Sequence, residues 1–184
     1  MNAETFSIPV RENVRLRFIK TNEVEALFKL VEKNRAYLRD WLNWVDEQTE
    51  PEASRKSILK RIQKAEEGTE LELGVYVDGT LVGSLGFNKL SLRNKSGEIG
   101  YWISEEYQGK GIVTDCVRAL IDYGFRTLKL HRIEIGCATR NMHSRAIPER
   151  LGFIFEGTAR EAYFLYDHFE DSRKYGLLTA EWKK

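Results

Sequence analysis

The clearest chemistry-bearing stretch of this 184-residue chain is Gln108-Gly109-Lys110-Gly111, which runs directly into Ile112-Val113-Thr114 and a helical pattern. Two glycines without Cβ let the backbone turn tightly and come close to a ligand. The helix that follows aims unpaired N–H groups and the positive end of its dipole at the loop, which suits a pyrophosphate, and Lys110 adds a charge. A plain strand-to-helix turn uses the same residues, so the loop by itself leaves both readings open. A dinucleotide fingerprint fits poorly, because Thr114 stands where the third glycine belongs and the strands before it read as antiparallel.

A second constellation is Asn141-Met142-His143-Ser144, leading to Leu151-Gly152-Phe153. Residues three apart share a helix face, so Asn141 and Ser144 could reach one ligand; equally, Asn141 could be the N-cap and Ser144 a solvated residue. His131, His143 and His168 lack metal-ligand spacing, so no metal site is expected. Cys116 and Cys137 form no CxxC and read as the free thiols of a reduced, intracellular protein.

The elements that must position these residues follow from periodicity. Val14 to Ile19 alternates like a half-buried strand, and Val24, Leu27, Phe28 and Val31 recur at helical spacing behind Thr21. Asn34 to Val45, with Tyr37, Trp41 and Trp44, predicts a second helix, and Pro51 to Gly68 a third. Leu71–Val77, Asp78-Gly79 and Leu81–Phe87 form a hairpin with a type I′ turn, followed by a strand over Gly97–Ser104. Val113, Cys116, Val117, Leu120, Ile121, Phe125 and Leu128 give the next helix one apolar stripe. A strand over His131–Cys137, a helix over Asn141–Leu151 and one or two closing strands complete a single α+β domain over residues 1–184.

Twenty-nine basic against 28 acidic residues give a net charge of +1, which argues against a surface built for nucleic acid or an anionic membrane. No run reaches the ~20 apolar residues of a membrane span, and Met1 to Ser7 has no leader pattern, so the cytoplasm is the expected location.

Taken in order, Gly97-Glu-Ile-Gly-Tyr-Trp-Ile, Tyr-Gln-Gly-Lys-Gly, an amphipathic helix, a strand, Asn-x-x-Ser and Leu-Gly-Phe-x-x-Glu-Gly resemble the GCN5-related N-acetyltransferase superfamily, and its ribosomal-protein N-terminal acetyltransferase branch in particular. Val14-Arg-Leu-Arg and Tyr37-Leu-Arg-Asp-Trp-Leu-Asn-Trp44 extend the likeness over nearly the whole chain. The resemblance implies a mixed, mostly antiparallel sheet, splayed at its centre, with helices on both faces. Acetyl-CoA would lie in the splay, its pantetheine on the backbone of Trp102, Ile103 and Ser104 and on Asn141. Its pyrophosphate would rest on the amides of Gly109 to Thr114, beside Gln108. The sequence departs from the superfamily at Glu106, where Gln or Arg is usual, and at Pro148, where many members carry the tyrosine that protonates the leaving thiolate. The branch looks instead to the serine of Asn-x-x-Ser, here Ser144.

On this reading an uncharged amine attacks the thioester. An α-amino group (pKa about 8) costs about 3 kcal/mol less to deprotonate than a lysine (about 10.4). Glu98, acting through water, is the candidate base, with Glu134 and Glu161 as rivals. A backbone N–H near Trp102 or Ile103 would hold the oxyanion. Tyr37, Trp41 and Trp44 are candidates for the acceptor groove, near the acidic Asp46, Glu47, Glu50 and Glu52. The acceptor is expected to be a protein N-terminus, such as that of a ribosomal protein, and the family resemblance implies a homo-oligomer. Competing readings are an acetyltransferase for a polyamine, amino sugar or drug, a non-catalytic CoA sensor, and a nucleotide-binding regulator.

Overall fold

The computed structural model describes residues 5–183; Met1 to Glu4, part of the segment read above for a leader, and Lys184 lie outside them. The element order is β1 (Ser7–Arg11), β2 (Val14–Arg17), α1 (Val24–Lys33), α2 (Arg35–Arg39), α3 (Pro51–Glu66), β3 (Leu71–Val77), β4 (Thr80–Ser91), β5 (Ser96–Ile103), α4 (Ile112–Arg126), β6 (Arg132–Ala138), α5 (Met142–Arg150), β7 (Ile154–Leu165) and β8 (His168–Leu178). The eight strands form one sheet in the order β1-β2-β3-β4-β5-β6-β8-β7. Every pairing is antiparallel except β5 with β6. This is the splayed mixed α+β sheet that the resemblance implied.

The two sheet faces are covered separately because strand side chains alternate. Ile99 and Ile103 of β5 join the core shared with α4, whereas Trp102 joins the core shared with α1–α3. The α4 stripe is the best-buried helix surface: Cys116, Val117, Leu120 and Ile121 are each 0% exposed. At roughly 1.5–3 kcal/mol per buried aliphatic side chain, this stripe anchors the glycine loop in front of it. The hairpin turn is as expected, with Asp78 and Gly79 at φ 49° and 79°.

One expectation needs correction. The second helix stops at Arg39 instead of Val45, and Val45–Glu47 is only a 3₁₀ turn. Arg35 is the reason: its guanidinium donates to the carbonyls of Val45 (2.7 Å) and Gln48, drawing the chain back across the helix. The short strand β1, not anticipated from sequence, pairs with β2 at the sheet edge.

The sheet opens where β5 and β6 part. Their ladder holds from Ser96↔Arg132 to Ile99↔Ile135 and goes no further, although both strands continue. Glycine follows the last rung on each side. A Cβ on Gly100 would meet the Asn88 amide at 2.0 Å, and one on Gly136 would meet Lys174 Nζ at 2.9 Å. Asn88 sits in a β4 irregularity between the pairs Phe87↔Ile99 and Lys89↔Glu98, directly beside the opening.

Candidate active site

The opening leads into a cleft of about 930 Å³. Tyr101, Cys137, Asn141 and Ser144 line it, as do Trp41, Leu42, Trp44 and Tyr163. Glu72, Ser84, Gly100, Trp102 and Gly136 form its floor, and α3 contributes Lys56, Lys60 and Arg61. Arg61 is paired with Glu72 at 3.1 Å, and Ser84 Oγ donates to the same carboxylate at 2.7 Å.

The glycine loop has the conformation its residues suggested. Gly109 and Gly111 have φ of 70° and 74°, and a Cβ at either would meet nothing within 4 Å. The demand for glycine is therefore conformational, and the space above the loop is open. Gly111 is the N-cap of α4 and supplies no side-chain acceptor to the first-turn amides of Ile112, Val113 and Thr114. Lys110 Nζ lies 4.8 Å from the Tyr107 ring centre. Arg150, from the end of α5, donates to Thr114 Oγ1 at 2.9 Å and adds a second cation beside this helix end. Sequence reading missed Arg150, whose only signal was its place in the last turn of the preceding candidate helix.

Asn141 is the N-cap of α5, its Oδ1 accepting the Ser144 N–H at 2.9 Å. Both side chains also line the cleft, so capping α5 does not withdraw them from it. Ser144 Oγ donates to the Tyr101 hydroxyl at 3.2 Å, and that hydroxyl donates to the Ser144 carbonyl at 3.0 Å. Burial pushes the Tyr101 phenol well above its ordinary value, so it stays protonated. Burial likewise raises the Cys137 thiol, which keeps it a neutral group.

The backbone register shifts one expectation. Ser104 N–H donates to Val82 O at 2.8 Å. In an antiparallel pair, alternate residues face the same neighbour, so Trp102 and Ser104 turn their amides toward β4. Tyr101 and Ile103 turn theirs into the splay. Of the backbone trio expected to hold a pantetheine, only Ile103 faces the opening, and Tyr101 takes the second place.

The acceptor candidates separate. Trp41 and Trp44 line the cleft, Trp44 lying 6.0 Å from the buried Trp102 between ring centres. Tyr37 packs against the α1–α3 core beside Gln108, and burial raises its phenol. Among carboxylates, Glu98 is on the same strand face as Gly100 and Trp102, below the split, and accepts from Lys89 at 2.8 Å with Lys174 at 3.9 Å. Glu134 pairs with Arg132, and Glu161 is exposed on the irregular part of β7. Asp46 is taken up by Arg39 at 2.7 Å, whereas Glu47 and Glu50 line the cleft.

An open, uncapped helix start behind two glycines and a cleft that runs from the sheet's parting to Trp41 and Trp44 match the architecture of the GNAT acyltransferases. The chain belongs to that family: the acetyltransferase (GNAT) domain matches residues 13–154, and the protein is an N-acetyltransferase. It is 33% identical over 174 residues to the ribosomal-protein-serine acetyltransferase of Escherichia coli (strain K12), covering 95% of this chain and 97% of that one. It is 36% identical over 180 residues to YdaF of Bacillus subtilis (strain 168), provisionally named a ribosomal N-acetyltransferase, with 97% and 98% covered. Among solved structures, the ribosomal L7/L12 α-N-protein acetyltransferase RimL in complex with coenzyme A superposes with a TM-score of 0.91 at 31% identity, covering 94% of this chain and 98% of that one. No helix among the described residues is long and apolar enough to cross a membrane.

Proposed function

We propose that this enzyme transfers the acetyl group of acetyl-CoA directly to the α-amino group at a protein N-terminus, with a ribosomal protein as acceptor. The observation that carries this reading is the continuity of the cleft, from Asn141 and Ser144 beside α5 to Trp41 and Trp44 on the helical opposite side. A donor on the α4–α5 side and an acceptor on the α1–α3 side meet at the gap between β5 and β6.

The pyrophosphate rests on the amides of Gly109 to Thr114, with Lys110 and Arg150 near it. The pantetheine arm follows the free backbone of Tyr101 and Ile103, and Asn141 contacts it. An α-amine needs about 1.4 kcal/mol to lose its proton at neutral pH, so a weakly coupled base suffices. Glu98, ion-paired with Lys89, accepts that proton through water. Attack forms the N–C bond; the thioester C–S bond then breaks with its electron pair on sulfur, where Ser144 donates a hydrogen bond. The Ile103 N–H faces the oxyanion. The enzyme works in the cytoplasm, among newly made ribosomal proteins.

The support comes from the named relatives, from the end of the β5–β6 ladder at Ile99↔Ile135, and from the cleft of about 930 Å³ that reaches Trp41 and Trp44. Digestion and mass spectrometry of a ribosomal protein incubated with enzyme and acetyl-CoA test the reading. One acetyl group on the N-terminal peptide supports it; acetyl groups only on internal lysines refute it.

A further inference from the structure

Pro148 lies inside α5 and has no N–H to give the carbonyl four residues earlier, which is that of Ser144. A helical carbonyl deprived of its donor needs another partner when it is screened from water. The structure supplies one from a different element: the Tyr101 hydroxyl, from β5, donates to Ser144 O at 3.0 Å. The same hydroxyl accepts from Ser144 Oγ at 3.2 Å, so one phenol engages both the backbone and the side chain of Ser144. The proline that takes the place of the usual acid thus also vacates the carbonyl on which Tyr101 docks.

We propose that Tyr101 is a positioning residue for the transfer step, holding Ser144 against the sulfur of the leaving coenzyme A. Without it, the Ser144 hydroxyl keeps only the Cys137 thiol as a side-chain hydrogen-bond neighbour. As the C–S bond breaks and negative charge gathers on sulfur, the Ser144 O–H turns from Tyr101 to the sulfur. The Tyr101 O–H then turns from the carbonyl to a lone pair of Ser144 Oγ. The two hydroxyls line up head to tail, each strengthening the next. Neither gives up its proton: the proton lost by the amine passes through water to Glu98, and the thiolate is protonated from solvent. The raised phenol of Tyr101 fits a donor that never ionises.

The inference rests on coenzyme A being the donor, and its test needs no acceptor. Coenzyme A and its desulfo analogue are titrated calorimetrically into the wild type, Tyr101→Phe, Ser144→Ala and the double variant. A hydrogen-bonded thiolate lowers the bound thiol's pKa, so the affinity ratio of coenzyme A to desulfo-coenzyme A climbs with pH, by about threefold from pH 7 to 9 for a shift of about one unit. The ratio is expected to stay flat in Ser144→Ala, to climb much less in Tyr101→Phe, and to be no flatter in the double variant than in Ser144→Ala. A wild-type climb in Tyr101→Phe overturns the role of Tyr101 alone, as does a Tyr101→Phe loss that persists when Ser144 is already alanine. Failure of the wild type to bind coenzyme A overturns the donor reading and this inference with it. Tyr101→Phe keeps the ring that packs in the core, and turnover gives a second check, with kcat expected to fall about tenfold while the acetyl-CoA KM stays within about twofold.

Discussion

The guanidinium of Arg140 lies 4.5 Å from the centre of the Trp41 ring, and it binds Glu170 (2.5 Å) and the Asp40 carbonyl (2.9 Å) at the same time. One side chain thereby joins the loop before α5, which carries Asn141, to the aromatic wall of the chamber. The tip of the β7–β8 hairpin closes on the same wall, Tyr166 donating to Leu42 O at 2.8 Å. Arg140→Ala is expected to loosen Trp41 and raise the acceptor KM by about tenfold, about 1.4 kcal/mol, while acetyl-CoA affinity changes less than about twofold. Steady-state kinetics with each substrate varied separate the two. Equal weakening of both contradicts this assignment.

The glycine loop makes a separable prediction. Gly111 starts α4 at φ 74°, a conformation that costs alanine about 1 kcal/mol and asparagine less. Gly111→Ala is expected to lower thermal stability modestly and weaken acetyl-CoA binding by tenfold or more, because a side chain then projects into the open space above the first-turn amides. Gly111→Asn is expected to recover stability without recovering affinity. Calorimetry beside thermal melts checks both, and recovery of the two together would assign the loop a purely structural part.

His168 gives a pH signature of the hairpin tip. Its ring contacts Asp167 at 2.7 Å and the buried Glu170 at 3.0 Å, and these carboxylates raise its pKa. A raised folded-state pKa contributes stability that is full below the ordinary histidine value and is lost as pH rises through the folded value. His168→Gln is therefore expected to lower the melting temperature more at pH 6 than at pH 8.5. A pH-independent difference would mean that the charge is not involved.

Glu98 is tested on the acidic limb of the rate profile. If it draws the proton from an α-amine through water, Glu98→Gln lowers kcat/KM about tenfold near pH 7 and approaches the wild type by pH 9, where the amine is already free. A full rate at every pH from 6 to 9 removes Glu98 from the mechanism.

Features written in contiguous residues were legible in the sequence. The Asp78-Gly79 turn, the apolar stripe of α4, the glycine loop before it and the Asn141–Ser144 spacing each depend on neighbours a few positions apart. Features made by distant chain segments were not. Nothing local to Arg35 announces that it will capture the Val45 and Gln48 carbonyls and end α2 early. The parting of β5 and β6 comes just after the rung that Gly100 and Gly136 follow, residues that come together only in the sheet, and which backbone amides face it depends on register against β4. The Tyr101–Ser144 contact spans 43 positions. Pro148 gave a partial signal, since a proline inside a helix leaves one carbonyl in search of a donor, but it could not name the donor.

The central claim is the nature of the acceptor amine. The most direct measurement is thiol release from acetyl-CoA with three acceptors in parallel: ribosomal-protein peptides with free N-termini, the same peptides N-blocked but containing lysine, and polyamines. The account predicts turnover confined to the free N-termini. Turnover on blocked peptides or polyamines in their place, or no thiol release from any acceptor, contradicts it.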